Sequence, residues 1–370
     1  MKKLSLLLWC GIFPLVLAAV HIGEAAPELA DCVWVKGNAV NLSQLSKERP
    51  VVVFFWNIGY ASNQELNALL PVVKQWEKQA TFVAVGCDDE EKLRNFFRLP
   101  QLPFAVAADV RLTNLRNYLL DNEQIPLALV IAPGGKVAWR GKCAGLPAVL
   151  EQIHSGKYDL DSAARREKFF LALEIAMKNS DFNQALALVN VELGCSPDDL
   201  ELFIFKLNLL EKKLNDVSAA QTEINRAIER NQRQAPLYEL KLQSLRKHKQ
   251  LDKIFPVIDA ITKIFASDYV VLSHFLALEI QQPPELSCPR GVIRLGRAVA
   301  ALPRYADNRQ KAMSKILLAQ ALNYCGAPEK SAQAVAEARK LFTDPRDIER
   351  ADAMLRHYQE LAEVQKNLGR

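Results

Sequence analysis

The sequence of 370 residues predicts an α/β sandwich followed by an all-α domain of helical repeats. Two observations predict the sandwich. A continuous apolar run from Val51 to Trp56 precedes a helical pattern, and a β-hairpin pattern surrounds Pro133-Gly134-Gly135. A third observation predicts the repeats, because strand-like runs disappear beyond Asp159 and similar helical stretches then recur at a fixed interval. The chain is too long for one compact core, so we expect two domains.

The first residues have the composition of an export signal. Two lysines precede an apolar run over 4–20, and Gly23-Glu24-Ala25 supplies the small residues that a signal peptidase requires. We therefore predict a signal peptide over 1–25, cleaved after Ala25, and a periplasmic or cell-envelope location. The run is close to the length of a membrane span, so an uncleaved anchor is the alternative. Contact with a membrane is expected only in that case.

The predicted first domain spans 26–156. Val51–Trp56 follows Pro50, and its β-branched and aromatic residues are typical of a buried parallel strand. The helix after it has apolar residues at helical spacing, namely Leu66, Leu69, Leu70, Val73 and Trp76. The remaining predicted elements are a buried strand over 81–85, a helix through Leu93, Phe96 and Phe97, and hairpin strands over 127–131 and 136–140.

The predicted second domain spans 160–370 and contains helices alone. Asp181, Asp216 and Asp252 each begin a similar stretch, at intervals of 35 and 36 residues. Periods of this length are typical of stacked helix pairs, in which each pair buries its apolar face against the next. The pattern resembles tetratricopeptide repeats, although no unit has that family's complete pattern. We therefore predict a TPR-like solenoid.

Four landmarks give the first domain a family resemblance. They are Asn41–Leu45 before Pro50–Trp56, Gly86-Cys87-Asp88-Asp89 after the second strand, Ile125-Pro126 before 127–131, and Gly134–Val137 in the hairpin. In this order they resemble the extracytoplasmic, TlpA-like branch of the thioredoxin-like redoxins. The resemblance implies a thioredoxin fold and a cis-proline at Pro126. It also implies, in active members, a Cys-x-x-Cys pair where a helix begins after the first central strand.

That cysteine pair is missing from this sequence. Counting forward from Trp56 places the two positions at Tyr60 and Asn63, and the segment between them contains no sulfur. A phenol and an amide cannot form the mixed disulfide on which thiol exchange depends. The sequence therefore assigns no catalytic residue and favours a role without enzymatic activity, although the question stays open.

Two features of the degenerate site still suggest functions. In the family, the cis-proline presents the backbone of the preceding residue to an extended peptide. Tyr60, Ile125 and Pro126 are therefore candidates for peptide binding, and a purely structural role is the alternative. Cys87 is the candidate redox thiol because it ends a strand at the same edge of the sheet. A buried, unreactive thiol is its alternative.

Composition and motifs exclude several other function classes. The net charge is +5, from 47 basic and 42 acidic residues, and this excess is too small to predict a nucleic-acid partner. No histidine or cysteine pair has metal-ligand spacing, and no glycine-rich phosphate loop occurs, so we predict neither a metal nor a cofactor. The leading hypothesis is an exported scaffold that binds a protein or peptide through its helical repeats. The alternative is a thiol-disulfide oxidoreductase or redox sensor that uses Cys87.

Overall fold

A computed structural model of the chain describes residues 19–96, 103–301 and 307–368, without the side chains of 60–62. The chain divides into two compact units, Met1–Asp198 and Asp199–Arg370. Most of the predicted leader, residues 1–18, lies outside the described residues, as does Phe97 of the predicted third helix. The predicted domain boundaries of 1–25, 26–156 and 160–370 stay predictions.

One mixed sheet forms the centre of the first unit. Its strand order is β1-β4-β3-β2-β5-β6, where β2, β3 and β4 are parallel to one another and the remaining strands pair antiparallel. This sheet with helices on both faces is a thioredoxin fold, and the predicted α/β sandwich is confirmed. The strands in the described part of the chain are β1 Val33–Lys36, β2 Val51–Trp56, β3 Thr81–Gly86, β4 Ala105–Ala108, β5 Leu127–Ile131 and β6 Val137–Gly141.

Strand β2 is the centre of the core. All six of its residues are at most 1% exposed, because strands pair with both of its edges and apolar side chains cover both of its faces. Val52, Phe54 and Trp56 join one hydrophobic cluster, and the alternate residues join the other cluster across the sheet. The continuous apolar run in the sequence reflects this burial on two faces.

Helices cover both faces of the sheet. The described helices of the first unit are α1 Leu42–Leu45, α2 Tyr60–Trp76, α3 Glu90–Phe96, α4 Thr113–Tyr118, α5 Leu146–His154, α6 Leu160–Lys178 and α7 Phe182–Cys195. Helix α2 buries Leu66, Leu69, Val73 and Trp76, which is the face that the sequence predicted. Helix α6 packs on β6 and pairs with α7.

The second unit is all-α in its described part, as predicted. Its helices are α8 Leu200–Asn208, which continues as a π-helical turn over Leu209–Lys213, α9 Val217–Arg230, α10 Ala235–Lys247, α11 Ile254–Ile264, α12 Tyr269–Ile280, α13 Pro289–Ala300, α14 Asn308–Tyr324, α15 Pro328–Arg339 and α16 Pro345–Asn367. Successive helices from α12 onward pack against one another.

The periodic aspartates act as helix caps. The Asp181 carboxylate accepts a hydrogen bond from the Gln184 N–H at 3.0 Å, and Asp216 does the same for Ala219 at 2.8 Å. Each satisfies an amide that the first turn of its helix, α7 or α9, would leave unpaired. Asp252 differs, because it lies within a short 3₁₀ turn before α11.

A buried ion pair links α10 to α12 inside the second unit. The guanidinium Nη2 of Arg246 donates to the Glu279 carboxylate, and their side chains are 8% and 0% exposed. Burial raises the pKa of Glu279, and Arg246 opposes that rise. Removing one partner of such a pair leaves the other charge buried and uncompensated, which typically costs 3–5 kcal/mol.

We expect Arg246→Met to lower the free energy of unfolding of the full-length protein by about 3–5 kcal/mol in urea titrations. Without Arg246 the pKa of Glu279 rises further above that of the unfolded chain. The folded state then disfavours the carboxylate, so the loss should be larger at pH 8 than at pH 5. Arg297→Met, at an exposed position of α13, is the control and should change stability by less than about 0.5 kcal/mol. Equal effects of the two variants at both pH values would contradict the role of Arg246 as the partner of the buried Glu279 carboxylate.

Candidate functional site

The candidate site lies where β2 and β3 end and β5 begins. In the sheet register Phe55 is opposite Leu127, so Pro126 is placed opposite Trp56 at this edge. The peptide bond between Ile125 and Pro126 is cis, as the resemblance implied. The structure thus brings the start of α2 and the segment before β5 to the same end of the sheet.

Helix α2 begins at the predicted site. Gly59 is its N-cap in an extended conformation, and the Asn63 N–H donates the first helical hydrogen bond to the Gly59 carbonyl at 2.9 Å. Tyr60 is the first residue of the helix, and its side chain lies outside the described part of the structure. The Oδ1 of Asn63 is buried and accepts no hydrogen bond from the described residues. The positions of the expected thiols are therefore at a helix N-terminus, where a thiolate would be stabilised, but they carry no sulfur.

The segment after β3 closes one side of this site. The Cys87 N–H donates to the Trp56 carbonyl at 2.9 Å, which extends the pairing of β3 with β2. The next residue, Asp88, accepts a hydrogen bond from the Ile58 N–H at 2.6 Å. Asp88 therefore holds the loop between β2 and α2 in place, which is a structural role that needs no proton transfer.

The environment of Cys87 disfavours its reactive thiolate form. Burial raises its pKa to about 12, and the nearby Asp109 and Asp88 carboxylates add to the rise. Because the thiolate is the nucleophile in disulfide exchange, the raised pKa leaves Cys87 mostly in its unreactive thiol form at neutral pH. This finding disfavours the alternative in which Cys87 is a redox thiol.

Cys32 lies near the same edge of the sheet and was missed in the sequence because it is distant from Cys87 along the chain. The registers of β1 with β4 and of β3 with β4 place both cysteines beside Asp109, on opposite sides of it. Two strand spacings separate their backbones by about 10 Å, which exceeds the distance that a disulfide spans. Burial also raises the pKa of Cys32 to about 11. The six cysteines in the described part of the chain are all free.

Asp109 is buried because it organises the start of α4. Its carboxylate accepts hydrogen bonds from the Thr113 N–H at 3.0 Å and the Leu115 N–H at 2.8 Å. Asn114 donates to Asp109 at 3.3 Å and to the Cys32 sulfur at 3.2 Å. These contacts satisfy the carboxylate within the fold. The cluster of two thiols and one carboxylate is therefore a structural feature of this edge.

A clustered metal site and a membrane-spanning helix are both absent from the described residues. These residues contain no group of three or more histidine, cysteine or carboxylate side chains that could hold a metal ion. None of the described helices is long and apolar enough to cross a membrane.

Comparison with known proteins agrees with the fold. Residues 22–140 match the model of the AhpC/TSA family. Similar solved structures include an uncharacterized conserved protein from Geobacillus kaustophilus, with 19% identity, a TM-score of 0.34 and coverage of 37% of this chain and 84% of the other. Two more are a thiol:disulfide interchange protein of the thioredoxin family from Chlorobium tepidum (18%, 0.31, 35% and 94%) and the peroxidoxin BcpB from Mycobacterium tuberculosis (16%, 0.32, 37% and 97%). A search of curated proteins gave no match.

The sheet topology, the cis-proline and the family match together define the class of the first domain. It has a thioredoxin fold with a match to the AhpC/TSA family model over residues 22–140, and the chain beyond it is all-helical where described. Tyr60 and Asn63, at the positions where the family resemblance implies a dithiol, lie in the first turn of α2.

We expect Cys87 to resist alkylation in the native protein. Its raised pKa predicts little labelling by iodoacetamide at pH 7 and a rate that grows about tenfold per pH unit, because the thiolate fraction grows at that rate. Mass spectrometry of tryptic peptides measures the labelling, and the exposed Cys195 serves as the internal control. Labelling of Cys87 at pH 7 as fast as that of Cys195 would contradict this expectation and revive the redox alternative.

Proposed function

We propose that this protein is an exported binding scaffold, in which a thioredoxin-like domain without dithiol chemistry accompanies a helical array that holds a protein or peptide partner. The observation that carries this proposal is the absence of sulfur at the start of α2. Disulfide exchange needs a thiolate at that position, and the adjacent Cys87 has a pKa of about 12. The surface at the start of α2 and before β5 therefore remains a proposed binding surface, without a cysteine nucleophile at Tyr60 or Asn63.

Disulfide reduction tests this proposal against the redox alternative. Neither the wild-type protein nor Cys87→Ser should accelerate the reduction of insulin by dithiothreitol. The double variant Tyr60→Cys/Asn63→Cys should gain activity, because it restores two thiols at the N-terminus of α2. Wild-type activity that Cys87→Ser abolishes would favour the oxidoreductase or redox sensor instead.

The helical unit offers a specific place for a ligand. A cavity of about 380 Å³ lies between α9, α10 and the start of α11. Its apolar wall is formed by side chains that belong to the core, Ile224, Leu245 and Val257, together with Pro256. A cavity of this size can hold a side chain or a short segment of a partner.

One hydrogen-bond donor in this cavity has no acceptor within the described part of the chain, and a lysine lies in the same lining. The Nε2 of Gln221 is buried without a hydrogen bond. Lys241 is partly buried, and burial lowers its pKa although Glu229 opposes the change. A buried donor without an acceptor is costly, so the pair favours an occupant that brings acceptor oxygens and negative charge. A carboxylate on an apolar segment has both properties.

We expect an acidic peptide to bind this cavity. A short apolar peptide with one central glutamate should bind the full-length protein about tenfold tighter than its glutamine counterpart, since the carboxylate makes a charge-assisted hydrogen bond with Lys241. Lys241→Met should remove the difference, whereas Lys212→Met at an exposed position should preserve it. Isothermal titration calorimetry measures both affinities, and glutarate as a third ligand distinguishes a free carboxylate from a peptide. Equal affinity of the two peptides for the wild-type protein would exclude this site.

A second contact surface is proposed on the thioredoxin-like domain. Tyr60 begins α2, and the cis-linked Ile125 and Pro126 precede β5 at the same end of the sheet. In the family this surface meets an extended peptide. The alternative is a purely structural role for all three residues.

A further inference from the structure

We propose that the export leader is removed before Val20, at the peptide bond that follows Ala18 or Ala19, and that residues 20–26 belong to the folded domain. The inference deepens the export part of the proposed function and rests on it. The sequence alone favoured a cut after Ala25, because Gly23-Glu24-Ala25 resembles a peptidase site. Three kinds of contact among the described residues, and one observation from the family match, oppose that position.

The first contact is backbone pairing with the hairpin of β5 and β6. The Gly23 N–H donates to the Val137 carbonyl at 2.8 Å, and the Val137 N–H donates to the Glu24 carbonyl at 2.9 Å. Ala25 forms an antiparallel bridge with Lys136, and the Ala26 N–H donates to Gly135 at 2.9 Å. The segment 23–26 therefore pairs with the end of the sheet as a short additional strand would.

The second contact is burial. Val20 is 5% exposed and Ile22 is 9% exposed, and both belong to the hydrophobic cluster on one face of the sheet. The Val20 N–H also donates to the Asn117 carbonyl at 2.9 Å, near the end of α4. A cut after Ala25 would remove two core side chains and leave a gap on that face. Large apolar losses of this kind are destabilising because the surroundings relax only in part.

The third contact is a buried network of charges between the segment, β6 and α6. Glu167 of α6 accepts a hydrogen bond from the Ile22 N–H at 2.9 Å, and its carboxylate lies 3.1 Å from the His21 Nδ1. The Arg140 guanidinium lies 2.9 Å from Glu167 and 2.7 Å from Glu123, and it donates to the Val20 carbonyl. The side chains of Arg140 and Glu167 are only 7% and 8% exposed. Loss of residues 20–25 would remove buried hydrogen-bond partners from both Arg140 and Glu167. Buried charged groups that lose such partners destabilise the folded state.

The family match supplies the fourth observation. The AhpC/TSA model begins at residue 22, which is N-terminal to the Ala25–Ala26 bond. A cut after Ala25 would therefore divide the domain that the family defines. This argument is independent of the contacts, because it rests on the sequence pattern alone.

The sequence before Val20 suits a peptidase. Val16-Leu17-Ala18 and Leu17-Ala18-Ala19 each end in a small residue after an apolar run, although the first position of each motif is the larger Val16 or Leu17. Cleavage adds water across the bond, so the leader keeps a new carboxylate and the mature chain begins with an ammonium group. A cavity of about 620 Å³ at Ala19, lined also by Asp121 and Glu174, leaves room for that charge to stay hydrated.

Intact-mass analysis of the full-length protein purified from the cell envelope tests the proposed bond. We expect a mature chain that begins at Ala19 or Val20. The double variant Ala18→Asp/Ala19→Asp should accumulate unprocessed. The matched variant Ala25→Asp, at an exposed position, should be processed normally. A mature chain that begins at Ala26, or a wild-type chain that keeps its leader, would overturn the proposal.

A stability comparison tests the physical argument without any export. Two chains are produced in the cytoplasm, with an initiating methionine directly before Val20 or directly before Ala26. The shorter chain should melt more than about 5 °C lower, because it lacks the pairing, the two core side chains and the partners of Arg140. Equal melting temperatures would overturn the structural role of 20–25. Failure of the peptide-binding experiments would leave both of these results unchanged, so the two proposals can fail separately.

Discussion

Complete burial of β2 is the constraint on which the rest of the first domain depends. A strand that pairs on both edges and packs on both faces must have apolar residues at every position, and Val51–Trp56 has them. Because β3 and β5 hydrogen-bond to this strand in fixed register, the ends of those strands can occupy only one place. That register brings Cys87, Pro126 and the first turn of α2 to the same edge, whatever side chains they carry.

The loss of the dithiol is compatible with this fold because the thiols of an active site contribute chemistry and not core packing. Gly59 still caps α2, and Asp88 still holds the preceding loop through Ile58. The two cysteines near this edge, Cys32 and Cys87, are partly buried and lie near carboxylates, and both effects favour the protonated thiol. The same scaffold can therefore keep its shape without sulfur at the start of α2.

The sequence predicted the elements that have strong local patterns and missed those that depend on distant residues. β2, α2, β3 and the hairpin were predicted because each has a clear apolar period, and the cis bond at Pro126 followed from the family resemblance. β4 was missed because Ala105–Ala108 is rich in alanine, which is not typical of strands. Nothing near Glu167 in the sequence indicates that it contacts Ile22 and Arg140, since those partners are more than 25 residues away. The Lys241 cavity was missed for the same reason, because three helices form it.

Preorganisation connects the architecture of the helical unit with its proposed role. Lys241 and Gln221 lie on helices that also bury Ile224, Leu242 and Leu245, so the helices that carry the two donors are anchored in the core before any ligand arrives. When a ligand binds, the protein therefore loses little further conformational entropy. Preorganisation of this kind increases affinity because it lowers the cost of ordering the site. Arg246, on the helix that carries Lys241, adds a link to α12 through its ion pair with Glu279. Rigid donors over an apolar wall are what a scaffold without catalytic groups needs to hold a partner.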